Sequence, residues 1–543
     1  MYPIAEYVIL ADGWRRRLIS FAGGACGALA LAPVNFLPAM IVPMTIAVWL
    51  IDGAAEARQA PGARPRSLAV RNAFGAGWWW GFGYFVAGFW WLGAAFLVEP
   101  QDFVWAMPLG IFGLPAFLAL FPAFGFALAR LGWSPGPARV LTLAAALGFS
   151  EWLREHMLTG FPWNDYGMAF GNHLVLAQFA AIGGLGALNV LTIAICASPA
   201  LVADMRFKKN KRRVPTGVIV AIGAFLAIAA FGAIRLSAPQ PKDLPGVKVR
   251  LMQPNVTEDE NFSAAHKDEI IARYLALSDR ATSPEHTGLA DVSLLIWPES
   301  AFPFILTEDP QALAAIGGAL PPNTTLVTGA ARVGIVSHAG EEYPAYFNSI
   351  LAIARGGIIL DTYDKVHLVP FGEYLPFEST LRHLGLHHFV HIPGGFAPGA
   401  AQRLLSLPGL PPVVGSICYE AIFPEEALPP DLPPGTEPGF IINVTNDAWF
   451  GRTAGPYQHL AQARLLTIEQ GLPMLRDANT GVSAIIDPYG RVLHSLGLQQ
   501  EGVIDGGLPE KIAPPPFARA PFLIGILAWV VMLCAALALR GIV

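Results

Sequence analysis

Charged residues are scarce in this sequence, at 14% of its 543 residues. Soluble globular proteins carry about 25%, so this low share, together with a hydrophobic content of 54% and a mean hydropathy of +0.47, indicates a membrane protein. A strong net charge is also missing, since the formal value is only −5. The weak charge argues against nucleic acid as a partner.

Cysteine is equally scarce, with four residues in all: Cys26, Cys196, Cys418 and Cys534. Three of them lie in long apolar runs, which leaves Cys418 as the one thiol of the large polar segment, with no disulfide partner there. Cys418 directly follows the β-branched run 413–417, which predicts a buried strand. A cysteine at a strand end is either a small buried hydrophobe or a nucleophile, and these residues alone leave both possibilities open.

The sequence lacks a glycine-rich phosphate-binding loop and a regularly spaced set of metal ligands, so we expect no cofactor and no metal. The four histidines of residues 383–391 are irregularly spaced and have few carboxylates nearby. A lid over the functional site is the favoured interpretation of this stretch. Leu386 and Phe389 would then contact lipid.

Apolar runs long enough to cross a bilayer fall at about 17–33, 36–52, 74–98, 105–130, 138–155, 173–203, 217–236 and 521–540. Arginine and lysine concentrate in alternate loops, for example at residues 15–17 and 206–213. The positive-inside rule therefore predicts that both termini are cytoplasmic and that the large polar segment is periplasmic. The first run has the charge pattern of a signal peptide, but further membrane runs follow it, so we expect a retained helix.

The large polar segment alternates strand-length apolar runs with helical patterns, which is typical of an α/β domain built on layered sheets. The predicted organisation is a helical membrane domain at 1–236 with about seven spans. A catalytic α/β domain follows at 237–510, and a final transmembrane helix at 511–543.

Two further stretches of this domain supply what a nucleophilic thiol needs. Glu299 follows the apolar strand 294–297 and Pro298, and burial would raise the pKa of its carboxyl group toward that of a general base. Lys365 and Glu373 lie in a mostly apolar stretch. A lysine cation can stabilise a thiolate and an oxyanion, and Glu373 would orient it.

These pieces, with the strand end 443–451 and the segment 476–483 in the same order, resemble the carbon–nitrogen hydrolase (nitrilase) superfamily. The resemblance implies an αββα sandwich and a Glu-Lys-Cys triad of Glu299, Lys365 and Cys418. Glu373, Tyr419 and Glu420 would support the triad or the oxyanion. The family pattern also implies substrate contacts from Trp297, Phe262, Asn443, Asn446 and Trp449. Phe262 stands where the pattern often has tryptophan, which keeps an aromatic wall without the indole N–H.

The membrane runs and the motifs at 159–163, 297–299, 368–374 and 418–420 are similar to those of the apolipoprotein N-acyltransferase family. That resemblance implies transfer of an acyl chain from a phospholipid, through a cysteine thioester, to the α-amine of a diacylglyceryl-cysteine. The expected partners are a phospholipid, a diacylated lipoprotein and the bilayer of the bacterial inner membrane. Two alternatives are a membrane-tethered amidase or nitrilase-type hydrolase and a catalytically inactive lipid- or peptide-binding protein.

Overall fold

The computed structural model describes residues 2–54, 65–98, 100–207, 214–256, 262–284, 286–338, 341–376, 383, 395–429, 432–433 and 435–540. The predicted lid residues Leu386 and Phe389 lie outside these ranges. The chain divides into two compact units. The first comprises Met1–Pro239, Thr453–Glu469 and Pro514–Val543, and the second comprises Gln240–Arg452 and Gln470–Ala513.

The regular secondary structure described in the first unit is helical. Its α-helices are Tyr2–Leu10, Gly13–Cys26, Ile41–Gly53, Pro65–Phe89, Pro100–Phe103, Leu114–Leu118, Leu120–Leu131, Ala138–His156, Met168–Gly171, Leu174–Ala177, Ala180–Ala197, Thr216–Leu236, Gly455–Gln470, Pro516–Arg519 and Pro521–Arg540. Tighter 3-10 segments lie at Gly27–Ala30, Leu37–Met40, Trp90–Leu97, Val104–Ala106, Met157–Thr159 and Ser198–Phe207, and a π-helical turn lies at Leu109–Gly113.

Within the described ranges, five helical segments are long and apolar enough to cross a membrane: Ser67–Leu97, Pro100–Leu131, Ala180–Asp204, Thr216–Leu236 and Pro521–Arg540. The three other predicted runs also fall on helices, two of which are shorter and one of which contains charged residues. Those at 17–33 and 36–52 fall on short helices of 14 and 13 residues. The run at 138–155 falls on a helix of 19 residues that carries a buried ion pair between Glu151 and Arg154.

Glycines allow two helices of this unit to approach each other closely. A Cβ atom added at Gly24 would lie 1.9 Å from the carbonyl oxygen of Trp80. In the same way, a Cβ atom added at Gly83 would lie 2.0 Å from the carbonyl oxygen of Phe21. The contact between Gly13–Cys26 and Pro65–Phe89 is thus built on small residues, as is common between membrane helices.

The second unit contains two six-stranded sheets. Its strands are β1 (Asp243–Gln253), β2 (Leu294–Trp297), β3 (Thr325–His338), β4 (Glu341–Ala354), β5 (Ile358–Asp364), β6 (Leu404–Leu405), β7 (Val413–Ile417), β8 (Phe440–Thr445), β9 (Met474–Ala478), β10 (Ser483–Ile486), β11 (Val492–Leu496) and β12 (Gly502–Pro509). The strand orders are β12-β1-β2-β3-β4-β5 and β11-β10-β9-β8-β7-β6. Its α-helices are Lys267–Ser278 and Pro310–Ala319, with 3-10 turns at Ala264–His266, Leu306–Glu308, Cys418–Ile422 and Asp447–Phe450.

The centre of each sheet is parallel, while its outer pairs are antiparallel. In the first sheet β1, β2 and β3 run in the same direction, with Leu294 opposite Val249 on one side and Thr325 on the other. In the second sheet β7, β8 and β9 are parallel. Since parallel strands end at the same edge of their sheet, the residues that follow β7, β8 and β9 are brought together.

Burial along β2 alternates between two cores. Leu294 and Ile296 belong to a cluster that contains residues of both sheets, including Val413 and Ile417, so the sheets pack face to face. Leu295 and Trp297 belong to a second cluster with residues of the helices Lys267–Ser278 and Pro310–Ala319. A strand covered on both faces is continuously apolar, which explains the pattern of β2. The predicted organisation, a layered α/β domain together with a helical region, is confirmed.

Candidate active site

Glu299, Lys365 and Cys418 each lie just past the end of a strand. Glu299 is two residues beyond β2, Lys365 directly follows β5, and Cys418 directly follows β7. The glutamate is 6% exposed and the lysine 1%, whereas the cysteine is half-buried. Glutamate and lysine are almost never buried to this extent unless they are paired, so these positions are held by specific interactions.

A glycine on the neighbouring strand fixes the backbone of Glu299. The N–H of Gly329, in β3, donates a hydrogen bond of 3.1 Å to the carbonyl oxygen of Pro298. A Cβ atom added at Gly329 would lie 2.5 Å from the Cα atom of Glu299, closer than side chains tolerate. The glycine therefore lets the turn after β2 pack directly on β3.

Lys365 contacts two carboxylates unequally. Its Nζ atom lies 2.9 Å from Oε2 and 3.0 Å from Oε1 of Glu373, but 3.7 Å from Oε1 of Glu299. Oε2 of Glu373 also accepts a hydrogen bond of 2.8 Å from the N–H of Val369. Glu373 is thus the direct partner of the ammonium group, and Glu299 stands one step further away.

Asn348, in β4, connects the two carboxylates. Its Nδ2 atom donates to Oε1 of Glu299 and to Oε1 of Glu373, both at 2.8 Å. Its carbonyl oxygen accepts a hydrogen bond of 2.8 Å from the N–H of Lys365. Asn348 cannot be singled out from the sequence, since a single asparagine before an apolar run carries no distinctive pattern.

The second oxygen of Glu299 is held by a residue that follows a strand of the other sheet. Its Oε2 atom accepts a hydrogen bond of 2.8 Å from the N–H of Asn446, which directly follows β8. The side-chain oxygen of Asn446 accepts from the N–H of Ala448 at 3.2 Å and from the amide of Asn479 at 3.3 Å. Asn446, predicted as a substrate contact, thus supports Glu299 through its backbone.

Cys418 has a left-handed backbone, with φ of 51°. Such a conformation is uncommon for a residue with a side chain, and it recurs where a nucleophile is placed at a sharp turn between a strand and a helix. Here the turn joins β7 to the 3-10 helix Cys418–Ile422. The half-buried thiol therefore stands at the tip of a constrained turn.

The carboxylate of Glu420 links this turn to the lysine segment. Its Oε2 atom accepts a hydrogen bond of 2.7 Å from the N–H of Ile417. Its Oε1 atom accepts from the N–H of Val366 at 2.7 Å and from the hydroxyl of Tyr363 at 2.8 Å. The residue before the cysteine and the residue after the lysine are thereby bound to one side chain.

The charges of the site act on one another. Burial raises the pKa of Glu299, and the nearby Lys365 opposes that shift. Burial alone would lower the pKa of Lys365, but the carboxylates of Glu373 and Glu299 outweigh it and raise that pKa. Burial and the charge of Glu299 raise the pKa of the Cys418 thiol, against the effect of Lys365. At neutral pH the thiol is thus protonated and requires a base.

Two of the predicted substrate-contacting side chains lie in the interior instead. Trp297 is fully buried, packs edge-on against Tyr274 and donates its indole N–H to the Ser278 hydroxyl at 2.9 Å. Asn443 is also fully buried, donates to the carbonyl oxygen of Ser416 at 3.2 Å and accepts from Arg476. Both side chains therefore have hydrogen-bond partners inside the protein, and their contacts with substrate stay predictions.

The other predicted residues lie nearer the surface or beside the turn. Phe262 is half-buried against the cluster that contains Trp297. Trp449 is half-buried in the 3-10 helix Asp447–Phe450. Tyr419 is buried, with its ring 4.9 Å from that of Phe423.

In the described ranges no group of three or more His, Cys, Asp or Glu side chains could hold a metal ion. Of the histidine stretch 383–391, these ranges include only His383.

Two family models match the chain. The carbon-nitrogen hydrolase model matches residues 248–514, and the model of the apolipoprotein N-acyltransferase N-terminal domain matches residues 23–198. Curated relatives described as apolipoprotein N-acyltransferase are found in Rhodopseudomonas palustris, at 48% identity over 95% of this chain and 94% of the relative. Others occur in Bradyrhizobium diazoefficiens, at 46% identity over 95% and 93%, and in Brucella melitensis, at 44% over 94% and 93%.

Proposed function

Since the chain belongs to the apolipoprotein N-acyltransferase family, we propose that it acylates the α-amine of the diacylglyceryl-cysteine of apolipoproteins, with a phospholipid as acyl donor. The chain is an N-acyltransferase with a carbon–nitrogen hydrolase domain and several apolar helices, and thus a multi-pass bacterial membrane protein. Its substrates are lipids and lipoproteins, in keeping with that membrane context.

The observation that carries the mechanism is geometric: Glu299 lies 3.7 Å from the ammonium group of Lys365, and Glu420 binds the residue before Cys418 and the residue after Lys365. This arrangement combines a base, a cation and a nucleophile at three strand ends of one domain. These are the parts that covalent acyl transfer requires. We assign the roles of general base to Glu299, oxyanion stabiliser to Lys365 and nucleophile to Cys418.

In the first half-reaction, Glu299 takes the thiol proton while the sulfur of Cys418 attacks the ester carbonyl of the phospholipid. The ammonium group of Lys365 and the backbone N–H of Tyr419 stabilise the oxyanion that forms. The C–O bond of the ester then breaks, and Glu299 passes the proton to the departing oxygen. The products are an acyl thioester on Cys418 and a lysophospholipid.

In the second half-reaction, the neutral α-amine of the acceptor attacks the thioester carbonyl. Glu299 takes a proton from the attacking nitrogen, the C–S bond breaks, and the proton returns to the sulfur of Cys418. Release of the amide product returns the site to its starting state. This ping-pong order uses the three side chains of the triad together with the backbone N–H of Tyr419.

The orientation in the membrane is also part of the proposal. Because positive charge concentrates in alternate loops, we place both termini in the cytoplasm and the α/β unit in the periplasm, with the chain in the inner membrane. Diacylated lipoproteins and the outer leaflet would then meet the site on the same side.

The two alternatives lack comparable support. A membrane-tethered amidase or nitrilase-type hydrolase would use water as acceptor, and a lipid- or peptide-binding protein would have no need for the charged cluster. The relatives that match over nearly the full chain carry the name of an acyltransferase. Acceptor chemistry separates the three possibilities.

The test is to incubate purified enzyme with a labelled phospholipid and a diacylated lipopeptide. A gel shift of the lipopeptide is expected. Without the lipopeptide, the enzyme itself should become labelled, and neutral hydroxylamine should release that label. Cys418→Ala should abolish both, whereas Cys26→Ala and Cys534→Ala should retain them, since both residues lie in the helical unit. Substantial transfer by Cys418→Ala would disprove the covalent mechanism, and release of free fatty acid without a lipopeptide shift would favour a hydrolase.

A further inference from the structure

We propose that Asn348 is a positioning residue that keeps the two carboxylates of the site in different roles, with Glu373 as the partner of Lys365 and Glu299 as the free base. The inference rests on the proposed function above and adds a residue that neither the sequence motifs nor the triad includes. It is carried by two hydrogen bonds of 2.8 Å from one amide group.

The amide nitrogen of asparagine has two hydrogens, and Asn348 uses one for each carboxylate. Each bond stabilises the ionised form of the carboxylate that accepts it. Asn348 is 3% exposed, so its side chain points into the protein and has little surface for a substrate. Its carbonyl oxygen accepts the N–H of Lys365, and one residue thus contacts all three charged residues of the cluster.

Strand pairing fixes this position. Asn348 lies opposite Ala331 of β3, and the next residue, Ser349, lies opposite Asp364 of β5. Lys365 follows Asp364 directly, so the register of β4 with β5 places the asparagine beside the lysine. A side chain on a strand that is paired on both sides holds its geometry better than one in a loop.

The charges explain why a neutral donor is needed. Glu299, Glu373 and the buried Glu420 all act on one ammonium group, that of Lys365, so negative charge is in excess in a buried site that also holds the Cys418 thiol. Two neighbouring carboxylates relieve their repulsion by binding a proton, which raises one pKa. The amide of Asn348 stabilises both ionised groups without adding charge. It also holds Glu299 off the direct contact with Lys365 that would weaken it as a base.

The test compares Asn348→Asp, which keeps the shape but replaces the amide with an acid, and Asn348→Ser, which removes the amide. Burst formation of acyl-enzyme from a short-chain p-nitrophenyl ester is measured against pH with the full-length protein in detergent. We expect the burst rate at pH 7 to fall about 10- to 100-fold, as loss of hydrogen bonds to charged groups implies. The acid limb of the pH profile should move up by about one pH unit, with KM unchanged.

Asn323→Asp serves as the matched control, because it adds the same charge at an exposed position. A merely structural role would lower the burst amplitude and the thermal stability but leave the pH limb in place, and that result would overturn the inference. An unchanged rate in either variant would overturn it as well. If the wild-type protein gave no burst, the proposed function would fail together with this inference; a normal wild-type burst with an unshifted variant profile would reject the inference alone.

Discussion

The ammonium group of Lys365 lies 2.9 Å from a carboxylate oxygen of Glu373, in a pair whose side chains are only 1% and 8% exposed. Isolated charges at such depth are costly, and breaking a buried pair leaves one of them without compensation. The pair also keeps the lysine from neutralising Glu299, which lies 3.7 Å from the same nitrogen. The distribution of charge between two glutamates is therefore central to the site.

Glu373→Gln should impair acylation of the enzyme while leaving Cys418 in place. The amide keeps the shape of the side chain but not its charge, so Lys365 would pair more closely with Glu299 and lower the strength of the base. We expect the rate of acyl-enzyme formation to fall roughly 10- to 100-fold. Labelling with a radioactive phospholipid in a single turnover measures this rate.

The control for that variant is Glu437→Gln. Glu437 forms an exposed ion pair of 3.0 Å with Lys511, and such pairs contribute little to the free energy of unfolding. Its labelling rate should equal that of the wild type. Normal labelling by Glu373→Gln would reduce Glu373 to a structural residue.

The pH dependence of acylation should report Glu299. Because burial raises its pKa above the ordinary value of about 4.3, the base becomes ionised, and the rate rises, only above that ordinary value. Stability changes in the opposite direction. A raised pKa in the folded state contributes stability that is fully present below the unfolded pKa and is lost as pH rises through the folded pKa.

Burst rates and urea unfolding, both measured between about pH 4 and pH 8, check this pair of trends. Glu299→Gln should lower the rate by several orders of magnitude and remove its share of the stability change. An acid limb at the ordinary carboxyl pKa, or a rate independent of pH, would contradict the assignment of Glu299 as the base.

The three residues proposed as the triad are easier to single out from the sequence than the residues around them. Glu299, Lys365 and Cys418 each follow an apolar strand, and a polar residue at the end of such a strand is visible in one dimension. Asn348 lies inside a long strand of the first sheet. Its role depends on the register of β4 with β5, which the sequence does not specify.

The direction in which the Trp297 side chain points is likewise not visible in the sequence. The family motif Trp297-Pro298-Glu299 implies a substrate contact for Trp297. Side chains of a strand alternate between faces, however, and the register of β2 turns Trp297 toward the helix Lys267–Ser278. The sheet order itself, with β12 beside β1, also joins segments about 250 residues apart, and no local pattern encodes that pairing.

Trp297→Phe should reduce stability rather than substrate binding. The substitution keeps an aromatic ring against Tyr274 but removes the hydrogen bond to Ser278. We expect a loss of about 1–2 kcal/mol in the free energy of unfolding and an unchanged KM for phospholipid. Ser278→Ala should cost a similar amount, and the double variant little more than either single one, because the two share an interaction. A raised KM at normal stability would restore Trp297 as a substrate contact.

Glu420→Gln should displace the nucleophile without removing any member of the triad. The carboxylate accepts hydrogen bonds at both oxygens, from Ile417 on one and from Val366 and Tyr363 on the other. A glutamine has only one acceptor oxygen, so at least one buried N–H would lose its partner, at a cost of about 1–3 kcal/mol. The strained turn at Cys418 would then relax, and kcat should fall more than KM rises.

Glu426→Gln is the matched control, because Glu426 contacts His367 at 2.7 Å from an exposed position. Alkylation of Cys418 by iodoacetamide, measured beside acyl transfer, separates the outcomes: a displaced turn alters both rates, whereas normal rates of both would show that Glu420 is not required to hold the turn.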